Sequence, residues 1–240
     1  MLTLKNYLKR EEQRITESLR REVASLDPVI QPLVLHTLQA GGKRVRPVLT
    51  VLTGKALGRP DDDSSREILY SLGCAVELIH SATLMHDDVM DGAELRRGRQ
   101  AAHRVFGISQ AIMTGDVLLA AAVLIVLRQQ NNVIMERCAR AVELTATGQV
   151  LETQNLRNPR LPLETYMRII EGKTAALIGC ACEVGALQAG AAPELVEAAA
   201  EFGRQVGVAF QLVDDALDIS PSEEIGKPTG GDLREGKFTL

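Results

Sequence analysis

Two segments concentrate carboxylates at helical spacing. Asp87-Asp88-Val89-Met90-Asp91 puts Asp87 and Asp91, and Asp88 and Asp91, side by side on one helix face. Asp214-Asp215-Ala216-Leu217-Asp218 repeats the arrangement inside the apolar stretch GVAFQLVDDALDI. Like charges at this spacing repel, and at a helix C-terminus the macrodipole adds to the cost. Acids in an apolar stretch are costly unless paired or metal-bound. Oxygen ligands with no Cys or His beside them select a hard cation. Mg²⁺ suits a site where a few carboxylates are completed by phosphate oxygens and water. Asp87, Asp88, Asp91, Asp214, Asp215 and Asp218 are therefore the candidate metal ligands. The run Asp61-Asp62-Asp63, behind Pro60 in a polar connection, reads as solvated charge.

Cations stand near both clusters and near helix breaks. Lys43 and Arg46 follow Gly41-Gly42, Arg96 and Arg97 follow the first cluster, and Lys173-Thr174 lies in EGKTAALIG. Lys227 and Lys237 bracket the Gly-rich stretch GKPTGGDLREGK, which lacks the spacing of a Walker A loop. Arginine suits bidentate phosphate contact and lysine acts as a point charge. His80 sits seven residues before Asp87, two turns up the same face. No Ser/His/Asp or Cys/His set suggests a covalent nucleophile.

The elements that must position these groups read as helices throughout. Helical stretches are expected over 4–26, from Asp27-Pro28 to Gly41-Gly42, from about Pro47 to Gly58, and over 65–91, 109–129, 132–154, 164–189 and 193–219. Asp27-Pro28 reads as an N-cap with Pro at the first helical position. Residues 92–99 and 221–237 read as loops, and no alternating strand pattern is found. The expectation is one all-α domain over 1–240, a bundle of eight to ten helices.

Composition agrees. Hydrophobic residues make up 45% and aromatics 3%, with no Trp, a balance that favours helix over strand. A net charge of −4 offers nothing to nucleic acid. The charged N-terminus is no signal peptide, and the apolar run Val117–Leu127 is shorter than a bilayer span. Cys74, Cys138, Cys180 and Cys182 lack zinc-site spacing and are expected as reduced, core-filling thiols of a cytoplasmic protein with no transmembrane segment.

The motifs GGKRVRP, ELIHSATLMHDDVMD, RRGRQAAHRVFG, GDVLL, EGKTAALIG and FQLVDDALDI, followed by GKPTGGDLREGKFTL, resemble in order and spacing those of the trans-polyprenyl diphosphate synthases. The resemblance implies an isoprenoid synthase-type helical bundle around a central cavity, usually a homodimer. It implies Mg²⁺-dependent condensation of isopentenyl diphosphate with an allylic diphosphate such as farnesyl or geranylgeranyl diphosphate. Asp87, Asp91 and Asp214 would bind Mg²⁺, supported by Asp88, Asp215 and Asp218. Lys43, Arg46, His80 and Arg97 would hold isopentenyl diphosphate. Arg96, Lys173 and Lys227 would hold the allylic diphosphate, with Thr174 and Gln211 near the reacting carbons and Lys237 near the phosphates. Asp87, Asp91, Lys173 and Asp214 would carry catalysis. The small Ala82, five residues before Asp87, leaves room for a growing tail and implies a hexaprenyl or longer product. A farnesyl or geranylgeranyl synthase and a non-catalytic partner subunit are the alternatives. The family also implies further C-terminal helices after FTL.

Overall fold

The computed structural model describes residues 4–58, 63–220 and 230–239. Its frame is α-helical: α1 (Leu4–Ala24), α2 (Gln31–Gln39), α3 (Val45–Leu57), α4 (Asp63–Met90), α5 (Ala102–Phe106), α6 (Ile108–Leu127), α7 (Asn132–Gln154), α8 (Leu163–Ile170), α9 (Ala176–Gln188), α10 (Pro193–Asp218) and α11 (Gly231–Glu235). The only strands among the described residues are β1 (Leu95–Arg96) and β2 (Arg99–Gln100), an antiparallel pair.

Helix α4 is the central column. Leu69, Leu72, Cys74 to Ile79, Ala82 and Met85 bury almost all round it, as expected of a helix enclosed by others. It packs on α6, α3 and α1, while α9 packs on α3, α7 and α10. The approaches around α9 are close because glycines face backbone. A Cβ on Gly185 would lie 2.3 Å from the Thr50 carbonyl oxygen, and one on Gly207 would lie 2.4 Å from Ala175 Cα.

A buried polar knot docks α1. Tyr70 donates to Glu11 Oε2 at 2.6 Å and Lys55 Nζ donates to the same oxygen at 2.7 Å. Burial of the Glu11 carboxylate, 2% exposed, is offset by these two donors and by the lysine charge.

The all-α expectation holds, with local differences. Asp27 caps a turn, its carboxylate accepting from the Val29 N–H at 2.9 Å, and α2 begins only at Gln31 with Pro32 in its first turn. The loop after α4 contains the β1–β2 ribbon, too short for an alternating pattern to register. The stretch 164–189 is interrupted by a π turn over Glu171–Ala175, and α11 lies where only loop was expected. All four cysteines are free and buried. By length and composition α4 and α6 could each cross a membrane. The helix around the run Val117–Leu127 begins at Ile108, which is what lengthens it.

Candidate active site

The first acid cluster closes α4, and its carboxylates have separate fates. Asp88 is buried and accepts from Arg96, Nε at 2.8 Å and Nη2 closer still. The ribbon sets this pair up. Its two-residue turn, Arg97-Gly98, has φ of +53° and +78°, the left-handed pair that tight hairpins require. Asp87 and Asp91 are left for the site. Asp87 is held up to about 6, chiefly by burial and further by Asp91 and Glu152, against the pull of Lys173 and Arg96.

The second cluster closes α10. Asp215, 3% exposed, accepts from Tyr166 Oη at 2.6 Å and from Gln211 Nε2 at 2.7 Å. Gln211 in turn accepts from Thr174 Oγ1 at 2.9 Å. Asp218 accepts the N–H groups of Gly231 and Asp232 at 3.0 and 3.1 Å, so it seats the start of α11. Asp214 is exposed. Asp232 is pushed up to about 6 by burial and by the nearby Asp218 and Asp215.

Between the clusters stand two lysines. Lys173 rides on the π turn, where the extra residue per turn re-aims the helix face. The turn lies tight against α7, because a Cβ on Gly148 would sit 2.8 Å from the Lys173 backbone nitrogen. Lys237 follows α11 and reaches Asp91 at 3.2 Å and Glu235 at 2.7 Å. That segment is pinned by the Arg157 N–H, which donates to Gly236 O at 2.7 Å. Burial would depress the Lys237 ammonium, but Glu152, Glu235 and Asp91 together raise it above its usual range. Both lysines meet Glu152 on α7. They line a cavity of about 130 Å³ with Glu152, Tyr166, Gln211, Asp215 and Asp232.

A third group gathers beside the ribbon. Arg44, at φ +47°, pairs with buried Glu77. Arg97 donates to the Gly41 carbonyl, which places it against the Gly41-Gly42 turn. Arg46 is pulled down to about 10 by burial and by Arg97, against Glu77, and its buried Nε has no partner in the structure. His80 is driven well below its usual range by burial and then by Arg46, Arg97, Arg96 and Arg44, so it stands neutral. Lys43 is exposed, and among the described residues no hydrogen bond or ion pair ties it to this group.

Asp87, Asp91, Lys173 and Lys237 thus share one electrostatic neighbourhood. Thr174, Gln211 and Asp215 form one chain, and Arg46, Arg96, Arg97 and His80 another group. Asp88 and Asp218 are spent on internal partners. Lys227 lies outside the described residues. Glu152, Tyr166, Arg44 and Glu77 are not expected from the sequence, although Arg44 and Glu77 lie within the motifs GGKRVRP and ELIHSATLMHDDVMD. None belongs to the acid clusters, and the weak signals present are Gln149 three residues before Glu152, the bases flanking Arg44, and His80 three residues after Glu77.

Among the described residues no three acid, His or Cys side chains converge to hold a metal on their own. The available Asp87 and Asp91 are oxygen donors that leave most of a hard cation's shell to another ligand, and this fits an Mg²⁺ completed by phosphate and water.

The polyprenyl synthetase family model matches residues 27–240. A short chain isoprenyl diphosphate synthase of Methanothermobacter thermautotrophicus is 35% identical over 100% of this chain and 74% of its own length. A nonaprenyl diphosphate synthase of Mycobacterium tuberculosis is 39% identical over 95% of this chain and 67% of its own. The crystal structure of a decaprenyl diphosphate synthase from Rhodobacter capsulatus superposes with a TM-score of 0.89 at 36% identity, covering 97% of this chain and 71% of that one. With fold, motif order and relatives in agreement, this chain belongs to the trans-polyprenyl diphosphate synthases and is a prenyltransferase.

Proposed function

We propose that the protein condenses isopentenyl diphosphate head-to-tail with an allylic diphosphate, farnesyl or geranylgeranyl, in an Mg²⁺-dependent reaction that gives a hexaprenyl or longer product. The observation that carries this reading is that Asp87 and Asp91 face Lys173 and Lys237, the two lysines that line one cavity, beside a separate arginine group. One anion-binding group for each of two diphosphates is what the reaction needs.

Lys173, Lys237 and Arg96 bind the allylic diphosphate, joined by Lys227 on sequence grounds alone. Arg46, Arg97, Lys43 and neutral His80 bind isopentenyl diphosphate. Mg²⁺ held by Asp87, Asp91 and Asp214 would offset charge on the departing pyrophosphate. Asp88 and Asp215 orient their neighbours, and Asp218 holds α11 in place. As the allylic C–O bond breaks, the lysines and Arg96 face the negative charge that develops on the leaving oxygen. The double bond of isopentenyl diphosphate then forms the new C–C bond to the allylic carbon. The adduct loses one proton to the released pyrophosphate. The Thr174–Gln211–Asp215 chain fixes the polar wall nearest these carbons and keeps bulk water from it.

Room for a long tail is supported below the first cluster. Ala82 is fully buried and small. An apolar cavity of about 230 Å³ is lined by Ile79, Leu119, Ala122, Val126, Met135 and Cys138. Ile79 is eight residues before Asp87, about 12 Å down the helix axis. The short-chain relative favours a second reading, a farnesyl or geranylgeranyl product. The exposed apolar outer face of α6 supports a homodimer, the four free buried cysteines support a cytoplasmic enzyme, and the net charge of −4 supports the absence of nucleic-acid partners.

Incubating the protein with labelled isopentenyl diphosphate, farnesyl diphosphate and Mg²⁺ tests the reading. The expected result is a ladder of products extending beyond geranylgeranyl, abolished in Asp87→Ala. A ladder ending at geranylgeranyl would select the short-chain reading, and no elongation would overturn the proposal.

A further inference from the structure

One carboxylate outside both acid clusters stands among the site lysines. Glu152 Oε2 accepts from Lys173 Nζ, lies 3.8 Å from Lys237 Nζ, and is approached at 3.5 Å by Gln149 Nε2. The side chains of Glu152, Lys173 and Lys237 are 17, 20 and 15% exposed. Nothing local brings the two ammonium groups together, since one rides on the π turn and the other follows α11. They share one oxygen, whose charge relieves their mutual repulsion alongside the Asp91 and Glu235 carboxylates that Lys237 also meets.

We propose that Glu152 is the specificity-determining counter-charge of this lysine pair, which makes the site accept a diphosphate together with its divalent cation and discriminate against the bare anion. The inference rests on the reading of the cavity as a diphosphate site. Asp87, Asp91 and Glu152 surround Lys173 and Lys237, so the acids outnumber the lysines. A bare diphosphate must share both ammonium groups with a tethered carboxylate while approaching two aspartates. A cation-bearing diphosphate carries less negative charge and brings a positive one to the aspartates. An ammonium has three donors, so Lys173 can keep one on Glu152 while the others turn to phosphate, and Lys237, which donates to Asp91 and Glu235, has one more to offer. The carboxylate acts as a fixed charge in the site, and its departure is not required.

The test is calorimetric titration with inorganic pyrophosphate, with and without Mg²⁺, on the wild type, Glu152→Gln and Glu152→Asp. Glutamine keeps the shape and a hydrogen-bond acceptor but removes the charge. Without Mg²⁺, Glu152→Gln is expected to bind pyrophosphate about three- to tenfold tighter than the wild type, the scale of deleting one nearby charge at a partly solvated site. With Mg²⁺ the two should agree within about twofold, so the enhancement by the cation shrinks, and Glu152→Asp should follow the wild type. A merely structural role would weaken binding under both conditions. Metal-free affinity that is unchanged or lower in Glu152→Gln would overturn the inference and leave the diphosphate reading standing. Failure of the wild type to bind pyrophosphate even with Mg²⁺ would remove both.

Discussion

Asp87 keeps its charge at a cost, because burial and the neighbouring acids hold its carboxyl at about 6. Its unfolded value is near 3.8, so between these values the folded state binds more protons than the unfolded one. The stability of the metal-free protein therefore falls as pH rises from about 4 to about 6, and the loss persists above that. The gap between these two values corresponds to at most about 3 kcal/mol, which partial solvation reduces to roughly 1–2 kcal/mol. Asp87→Asn should be more stable than the metal-free wild type by that amount at pH 7.5 and equal to it below pH 4. Denaturant melts at the two pH values check this, and equal stability at pH 7.5 would mean that the Asp87 charge costs the fold nothing. Asp88 and Asp218 show the opposite strategy. Their charge is absorbed by Arg96 and by the backbone donors of α11, so they serve geometry.

At the scale of elements, the decisive contact is between α7 and the π turn. Gly148 and Gly172 face each other there, and a Cβ on Gly172 would lie 2.7 Å from the Leu144 carbonyl oxygen. Backbone atoms cannot swing aside as a flexible side chain can. Gly148→Ala should cost about 1–3 kcal/mol, the usual penalty of overpacking. It should also displace the turn that carries Lys173 and Thr174, and small displacements of catalytic groups cost large factors in rate. Prenyl transfer is expected to drop at least about tenfold while far-UV circular dichroism is preserved. Full activity in a destabilised Gly148→Ala would show that the lysine position does not depend on this contact. The ribbon plays a similar part for Arg96 and Arg97, since Gly98 and a left-handed Arg97 let the chain reverse within two residues.

For the whole molecule, two apolar surfaces stand out. On α6, Met113, Val123, Leu124 and Leu127 are 62, 44, 57 and 51% exposed, a stripe at helical spacing. Such a stripe on a long helix is expected to meet its own copy across a two-fold axis, because a self-complementary patch closes in that symmetry. Sedimentation should then give about twice the 26.0 kDa chain mass at micromolar concentration, and Leu124→Glu should shift the protein toward monomer. A monomeric wild type would count against the homodimer. On α10 the outer face carries Phe202, Phe210, Val213 and Leu217, all exposed, beside the small Ala200, Gly203 and Gly207 that pack inward.

The sequence by itself determined the helical class, most helix ends and, through its ordered motifs, the family. Helical period and paired acids are local patterns, and local patterns survive in one dimension. It paired Asp87 with Asp91 by helical spacing, and joined Lys173 and Lys237 to them only through resemblance to a family. Tertiary structure alone decided which acids are free. Asp87 and Asp88 are adjacent in sequence, yet one faces the lysines and the other is neutralised by Arg96. It alone brought Glu152, Tyr166 and Glu77 into contact with the predicted site residues or their neighbours. The physical reason is that a carboxylate's role depends on which donors reach it. Those donors come from residues as far as 146 positions away in the chain, as with Lys237 and Asp91.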